Sequence, residues 1–214
     1  GERISWTNRP PISVRMDTDP KHKIVTETDA EKRRALVTDT WQQKRDRMKT
    51  VCSQCHTPDY INAFYTQYDD FVILYNEKFA KPGQMIIKVL REQGLLTKTE
   101  FDEEIEWTWY LLWHHEGRRA RHGVSMMAPD YSHWHGTFEV AERFYMHLLP
   151  QARELAKKAL EAGKAEQGKA VLAVIDALLA RDEHKWFKEG AEGQTEAIRK
   201  AMQERYGQGV EEKK

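Results

Sequence analysis

Two cysteines and a histidine stand together in Cys52-Ser53-Gln54-Cys55-His56. Two thiols spaced by two residues, with an imidazole directly after the second, is the spacing at which a c-type haem is attached. The thiols add to the haem vinyl groups as thioethers, and His56 would supply an axial nitrogen to the iron. One short turn of chain can offer both sulfurs and the ring to a single porphyrin face. The competing uses of these residues fit less well. A structural zinc site takes about four ligands and is rich in cysteine, whereas Cys52 and Cys55 are the only cysteines in the chain. A thioredoxin-like pair belongs in a βαβ context, and the flanking sequence here reads as helical. The motif therefore points to electron transfer or redox catalysis at iron, in a compartment outside the cytoplasm.

A second concentration of chemistry runs from His114 to Gly136. It holds His114, His115, His122, His133 and His135, five of the nine histidines. Neutral imidazole is a standard axial ligand of haem iron. One attachment motif needs at most one further ligand, so the surplus implies several haems nearby although the chain attaches one. Arg118, Arg119 and Arg121 suit haem propionates, because guanidinium pairs well with carboxylate. Plainer readings stand beside these. His114 and His115 fit ordinary buried or interfacial positions. His122 fits a cation at a helix C-terminus, and His133 a surface or supporting role. His135 is a ligand candidate, with Gly136 allowing a ring to approach closely. Met126 and Met127 read either as ligands or as gap-filling core, and Tyr131 as a buried aromatic whose hydroxyl is hydrogen-bonded.

These residues need helices to place them. Residues 1–27 read as extended, with Arg9-Pro10-Pro11 opposing helix. A charged helix is expected over about 29–50, with Leu36, Trp41 and Met48 as apolar contacts. Another follows Thr57-Pro58 and carries Tyr60, Phe64, Tyr68, Phe71, Leu74 and Tyr75, suited to a core or to a porphyrin face. Lys81-Pro82-Gly83 reads as a break, and Gly94 as the C-cap of a helix over about 84–93. Thr97 to Glu100 has capping-box spacing and opens a helix to about Arg121. Residues 123–129 interrupt it. Helices are then expected over about 133–162, kinked at Pro150, over 167–189 with Val171, Ile175, Leu178 and Leu179 on one face, and over 194–206 before a charged tail. The fold class is all-α. Residues 1–80 form a haem-attachment segment and 81–214 a helical region with distal ligands. At 214 residues with 34 basic and 34 acidic side chains, the balance argues against a general nucleic-acid binder. No apolar stretch reaches membrane-spanning length.

The segment His114–Tyr145 closely resembles the C-terminal part of the octahaem hydroxylamine oxidoreductases, a family that includes hydrazine dehydrogenases. The resemblance centres on HHEGRRARHG, MMAPDY and WHG. It extends back through VCSQCHTPDYINAFY and covers most of residues 30–150. It implies a multihaem c-type cytochrome that oxidises hydroxylamine to nitric oxide or nitrite, or hydrazine to dinitrogen. It further implies that Tyr131 is cross-linked to a catalytic haem of a neighbouring subunit in a homotrimer. Cys52, Cys55 and His56 would hold one bis-histidine relay haem c, and His114, His115, His122 and His135 would serve as distal ligands. A c-type cytochrome would accept the electrons. Family relatives without this tyrosine are thought to run reductively.

The resemblance also marks what is missing. The family attaches its catalytic haem through another CxxCH upstream, and its Asp-His acid–base pair lies upstream as well. The absence of a leader and of these elements leads to the expectation that the chain is the C-terminal part of a longer enzyme. Its compartment would be the periplasm or an equivalent, the anammoxosome among them, and its tail suggests a soluble product. A monohaem electron carrier and a reductive multihaem nitrite reductase relative are the alternatives. The first leaves the histidine cluster unexplained, and Tyr131 argues against the second.

Overall fold

The computed structural model describes residues 28–36 and 40–184, together with Phe187 and Lys200. The extended segment expected over 1–27, the side chain of Trp41 and the helix expected over 194–206 lie outside the described residues. Among the described residues every regular element is helical and none is a strand, so the chain is all-α.

Helix α1 spans Ala30–Ala35 and α2 spans Trp41–Cys52. A reciprocal cap starts α2: the Gln43 amide donates to the Thr40 hydroxyl at 3.2 Å, and the Thr40 amide donates to Gln43 Oε1 at 2.8 Å. Two of the helix's orphan donors are thereby satisfied. The chain turns at residues 53–57, and α3 runs over Pro58–Tyr75. Thr57 caps it through the Tyr60 amide at 3.5 Å, and Pro58 takes the first position, where its missing N–H costs nothing. A π turn, Asn76–Ala80, leads straight into α4, Lys81–Glu92.

The break expected at Lys81-Pro82-Gly83 is therefore absent. Pro82 falls in the first turn of α4, just after the widened turn, where the regular hydrogen-bond ladder is already interrupted. Gly83 is buried against the Trp109 ring. Gly94 closes α4 as expected, at φ +64°. The Leu95 amide bonds to the Leu90 carbonyl at 2.9 Å and the Gly94 amide to the Arg91 carbonyl at 3.0 Å, which together make a Schellman motif.

The capping box expected at Thr97 does not open a helix. The Thr97 hydroxyl is engaged with the Asp102 carboxylate at 2.8 and 2.9 Å, and its amide donates to Glu103 Oε1 at 2.6 Å. These bonds stabilise a loop, and α5 begins only at Glu104 (Glu104–Tyr110). A π turn, Leu111–Glu116, precedes α6, Gly117–Ser125. After a short break come α7 (Pro129–Ser132), a π turn (His133–Phe138), α8 (Glu139–Glu142) and another π turn (Arg143–Leu148). Helices α9 (Leu149–Glu161) and α10 (Ala165–Leu179) follow, with a 3₁₀ turn at Asp182–His184. Pro150 sits in the first turn of α9 directly after a π turn, the same arrangement as Pro82.

The chain forms two compact units. One contains the residues through Phe79 together with Tyr110–Arg143; the other contains Ala80–Trp109 and the residues from Phe144 onward. In the first unit Arg45, almost fully buried, grips Asp69 with two bonds of 2.6 and 2.9 Å. Its guanidinium lies 4.6 Å from the centre of the Tyr65 ring, so α2 is fastened along α3. Ile61, Tyr65, Tyr68, Val72 and Tyr75 form the buried face of α3. The backbones of α6 and the segment after it approach closely. A Cβ on Gly136 would collide with the Tyr131 carbonyl and come within 2.6 Å of Ala120 Cα. One on Gly123 would lie 2.6 Å from the Tyr131 carbonyl carbon.

In the second unit α10 packs on α9 and α4. Its face of Val171, Ile175, Leu178 and Leu179 is buried, as the spacing predicts, in a core with Ile86, Leu90, Leu148 and Leu149. Glu106 is buried too. Arg91 donates to its Oε1 at 2.6 Å and the Phe101 amide to its Oε2 at 2.7 Å. Burial alone would raise the Glu106 carboxyl, but these donors and the Arg91 charge outweigh it and hold the group below its ordinary range.

Gly136→Ala should lower the thermal midpoint by several degrees in a circular-dichroism melt, since overpacking costs roughly 1–3 kcal/mol and each kcal/mol shifts a chain of this size by about 2–4 °C. Glu106, with its folded pKa depressed, contributes stability above its ordinary value of 4.5 and loses it as pH falls. Glu106→Gln should therefore flatten the drop in unfolding midpoint below about pH 4.5, measured by urea titration across pH.

Candidate functional site

Cys52 is the last residue of α2. Its carbonyl accepts from both the Cys55 amide at 3.1 Å and the His56 amide at 3.0 Å, folding the motif into one tight turn between two capped helices. Both thiols are unbridged; Cys52 is half-buried and Cys55 exposed. The His56 ring is exposed and stacks on Tyr60, with centres 4.6 Å apart and planes 18° apart.

A groove of about 300 Å³ opens beside this turn. Cys52, His56, Tyr60 and Phe64 form one part of its lining, and Met126 and Met127 another. The Tyr60 hydroxyl donates to Met127 Sδ at 3.5 Å. The aromatic stripe expected on α3 is thus divided. Tyr68 and Tyr75 belong to the core, Tyr60 and Leu74 are exposed, and Phe64 is half-buried on the groove.

Met126 and Met127 are not gap-filling core; they are exposed residues at the end of α6. Met127 has φ +52°. The Ala128 amide bonds to the Gly123 carbonyl at 2.8 Å and the Met127 amide to the Val124 carbonyl at 3.2 Å, so this helix end is a Schellman motif. Methionine occupies the left-handed position that glycine normally takes, at a cost of about 1–2 kcal/mol.

The histidines differ in their surroundings. His114 and His115 lie in the π turn Leu111–Glu116, and His133 and His135 in the π turn His133–Phe138. Such turns are rare and often fall at functional positions. His114 is half-buried and stacked on Tyr110 at 4.6 Å, with Trp113 edge-on. Arg119 Nη2 lies against both His115 ring nitrogens, 3.1 Å from Nε2 and 3.4 Å from Nδ1, so the ring faces a group that only donates. His135 Nδ1 lies 3.2 Å from Glu139 Oε1. A carboxylate only accepts, so Nδ1 holds the hydrogen and the Nε2 lone pair is left outward on a half-exposed ring. His122 is exposed in the last turn of α6, the place where a cation is favoured.

Tyr131 is 53% exposed, its ring 5.8 Å from that of His135, so it is not a buried aromatic. Gly136 is buried in the helix crossing and serves a backbone approach there, which corrects the expectation that it makes room for a ring beside His135. Of the arginines, Arg119 Nη1 donates to Glu139 Oε2 at 2.8 Å, and Arg121 donates to the Gly117 carbonyl at 2.9 Å and lies over Tyr75.

Sequence reasoning missed Glu116 and Glu139. Glu116 is buried and accepts from Arg143 at 2.8 Å, while its Oε2 has no hydrogen-bond partner among the described residues. Burial, opposed by Arg121 and reinforced by Glu116, pushes the Tyr75 phenol up to about 12. The usable signal for Glu139 was spacing: His115 and Arg119, like His135 and Glu139, are four residues apart and share a helix face.

Among the described residues the trio of possible metal-ligating groups within 4.8 Å of one another is Asp102, Glu103 and Glu106. Burial and its bond to Asp102 raise the Glu103 carboxyl, and the same bond lowers that of Asp102. Glu106 is already engaged by Arg91, so the trio is the structural core of the 97–106 loop. No protein-family model, curated protein or solved structure matches the chain. Two unbridged thiols two residues apart with an imidazole directly after them are the donor set of a covalently held haem, and Cys52 and His56 border an apolar groove while Cys55 is exposed beside it, so the residues fit that group.

Met127→Gly should relieve the left-handed strain and raise the thermal midpoint by about 2–4 °C for a gain near 1 kcal/mol; an unchanged or lower midpoint would mean that the methionine's groove contacts outweigh its backbone cost.

Proposed function

We propose that the chain is the C-terminal portion of an enzyme similar to the octahaem hydroxylamine oxidoreductases. The enzyme oxidises hydroxylamine to nitric oxide or nitrite, or hydrazine to dinitrogen, and passes the electrons to a c-type cytochrome. The observation that carries this reading is the placement of Cys52 and His56 on one apolar groove, in a turn fixed by the caps of α2 and α3. Cys52 and Cys55 would hold a haem c through thioethers, and His56 would offer its imidazole to the iron. A bound haem supplies reversible one-electron chemistry. Tyr60, Phe64, Met126 and Met127 would give that group an apolar surface to lie against, and the polarity of its surroundings is one of the protein's levers on haem potential.

The rest of the first unit fits a multihaem assembly. His114, His115, His122 and His135 offer imidazoles to haems attached elsewhere in the enzyme. Tyr131 is exposed, with the phenol directed to a catalytic haem of a neighbouring subunit. Trp134 and Phe138 are exposed on the same stretch, at 63% and 55%. Large exposed aromatics grouped in this way mark an interaction surface, in keeping with a homotrimer. The compartment is extracytoplasmic, the periplasm or its equivalent, where c haems are attached.

Tyr131→Phe in the native assembly should cut hydroxylamine- and hydrazine-dependent cytochrome c reduction by at least an order of magnitude while leaving the c-haem absorbance bands in place. Wild-type turnover in that variant would exclude Tyr131 from catalysis. A protein that exchanges electrons but turns over neither substrate, wild type included, would be an electron carrier.

A further inference from the structure

We propose that Glu139 is a positioning residue for an iron-ligating His135, and that Arg119 holds Glu139 in place for that task; the inference rests on the multihaem reading above and assigns its ligand chemistry. The geometry is a short relay within the first unit. His135 Nδ1 stands 3.2 Å from Glu139 Oε1, and the other carboxylate oxygen accepts from Arg119 Nη1 at 2.8 Å. Both oxygens of Glu139 are thus committed, one to the ring and one to the guanidinium. The carboxylate and the arginine are about one-third exposed, while the imidazole they orient is 54% exposed. The relay is therefore anchored at its inner end and open at the ring.

Ring chemistry follows from the acceptor. A carboxylate has no hydrogen to give, so the proton of neutral His135 resides on Nδ1 and the lone pair on Nε2. Histidines that ligate metals characteristically donate their other N–H to a carboxylate or carbonyl, which fixes the tautomer, sets the ring orientation and raises ligand basicity. His135 has this arrangement, with Glu139 as the carboxylate. His115, which touches the same arginine, does not: Arg119 Nη2 stands 3.1 Å from its Nε2 and 3.4 Å from its Nδ1, and ligation through either nitrogen requires Arg119 to move away. One cation therefore separates the two histidines: it supports His135 through Glu139 and occupies His115 directly.

The π turn His133–Phe138 and the helix α8 that follows it bring this about. His135 lies in the widened turn and Glu139 begins the next regular segment, so the four-residue spacing places the carboxylate beside the ring. A more basic imidazole stabilises ferric over ferrous iron, so the relay lowers the potential of the haem it serves. That direction suits a haem that must hand electrons onward.

The test is spectroelectrochemistry and electron paramagnetic resonance on the haem-loaded native assembly, comparing wild type, Glu139→Gln and His135→Ala. His135→Ala identifies the signal, because one low-spin haem should lose its sixth ligand. Glu139→Gln keeps the side-chain shape and removes the charge. It should shift the midpoint potential of that same haem upward and alter its g-anisotropy, with haem content and circular dichroism unchanged. Unaltered potentials and g-values in Glu139→Gln would overturn the inference and leave Glu139 as a surface ion pair. A His135→Ala protein with every haem signal intact would also overturn it while leaving the haem-enzyme reading standing. A wild-type assembly without haem would overturn both.

Discussion

The crossing of α6 with the segment that follows it is the constraint on which the first unit depends. Gly123 lies on one element and Gly136 on the other, and the backbone of Tyr131 occupies the space that their side chains would fill. Because the backbones touch, the turn between them is short, and Met126 and Met127 are carried to the groove beside Cys52 and His56. The same approach leaves the Tyr131 ring on the outside and brings Arg119 of α6 within reach of Glu139. Groove, tyrosine and histidine relay are three consequences of one backbone contact. A methyl group at either glycine would push all of them together, which is why the contact has a functional as well as a structural reach.

Widened helical turns are the second organising device. Two of them precede Pro82 and Pro150 and let helical backbone pass residues that would otherwise interrupt the ladder. The other two hold His114, His115, His133 and His135. The two neighbouring histidines of the first meet different partners: His114 an aromatic stack, His115 an arginine. Strain is concentrated nearby as well. Met127 bears a left-handed backbone where glycine would fit without penalty, and it faces the groove. Residues held in costly conformations tend to gather at functional sites.

The helices and their buried faces were largely readable from the chain. The α10 stripe of Val171, Ile175, Leu178 and Leu179 and the terminus at Gly94 follow from periodicity and from the positive φ that glycine tolerates. Pro82 misled because proline's effect depends on its place within a helix, and a preceding π turn has no local sequence signature. Thr97 misled because capping-box spacing also suits a loop in which Asp102 takes the Thr97 hydroxyl and Glu103 takes its amide. At the candidate site, the attachment motif and the histidines stood out by residue type. Glu139 and Glu116 did not, since an isolated carboxylate carries no signal until its partner is known. Gly136 was noticed for the wrong neighbour: its contact comes from residues five and sixteen positions away, and helix period says nothing about which backbones touch.

The central claim is that Cys52, Cys55 and His56 form a haem attachment site. Peptide mass spectrometry of the native protein tests it most directly, on the proteolytic peptide containing Cys52 and Cys55. Both sulfurs should be bonded to a single haem, with the characteristic c-type absorbance following that peptide through separation. Free thiols, or a disulfide between Cys52 and Cys55, on that peptide would contradict it.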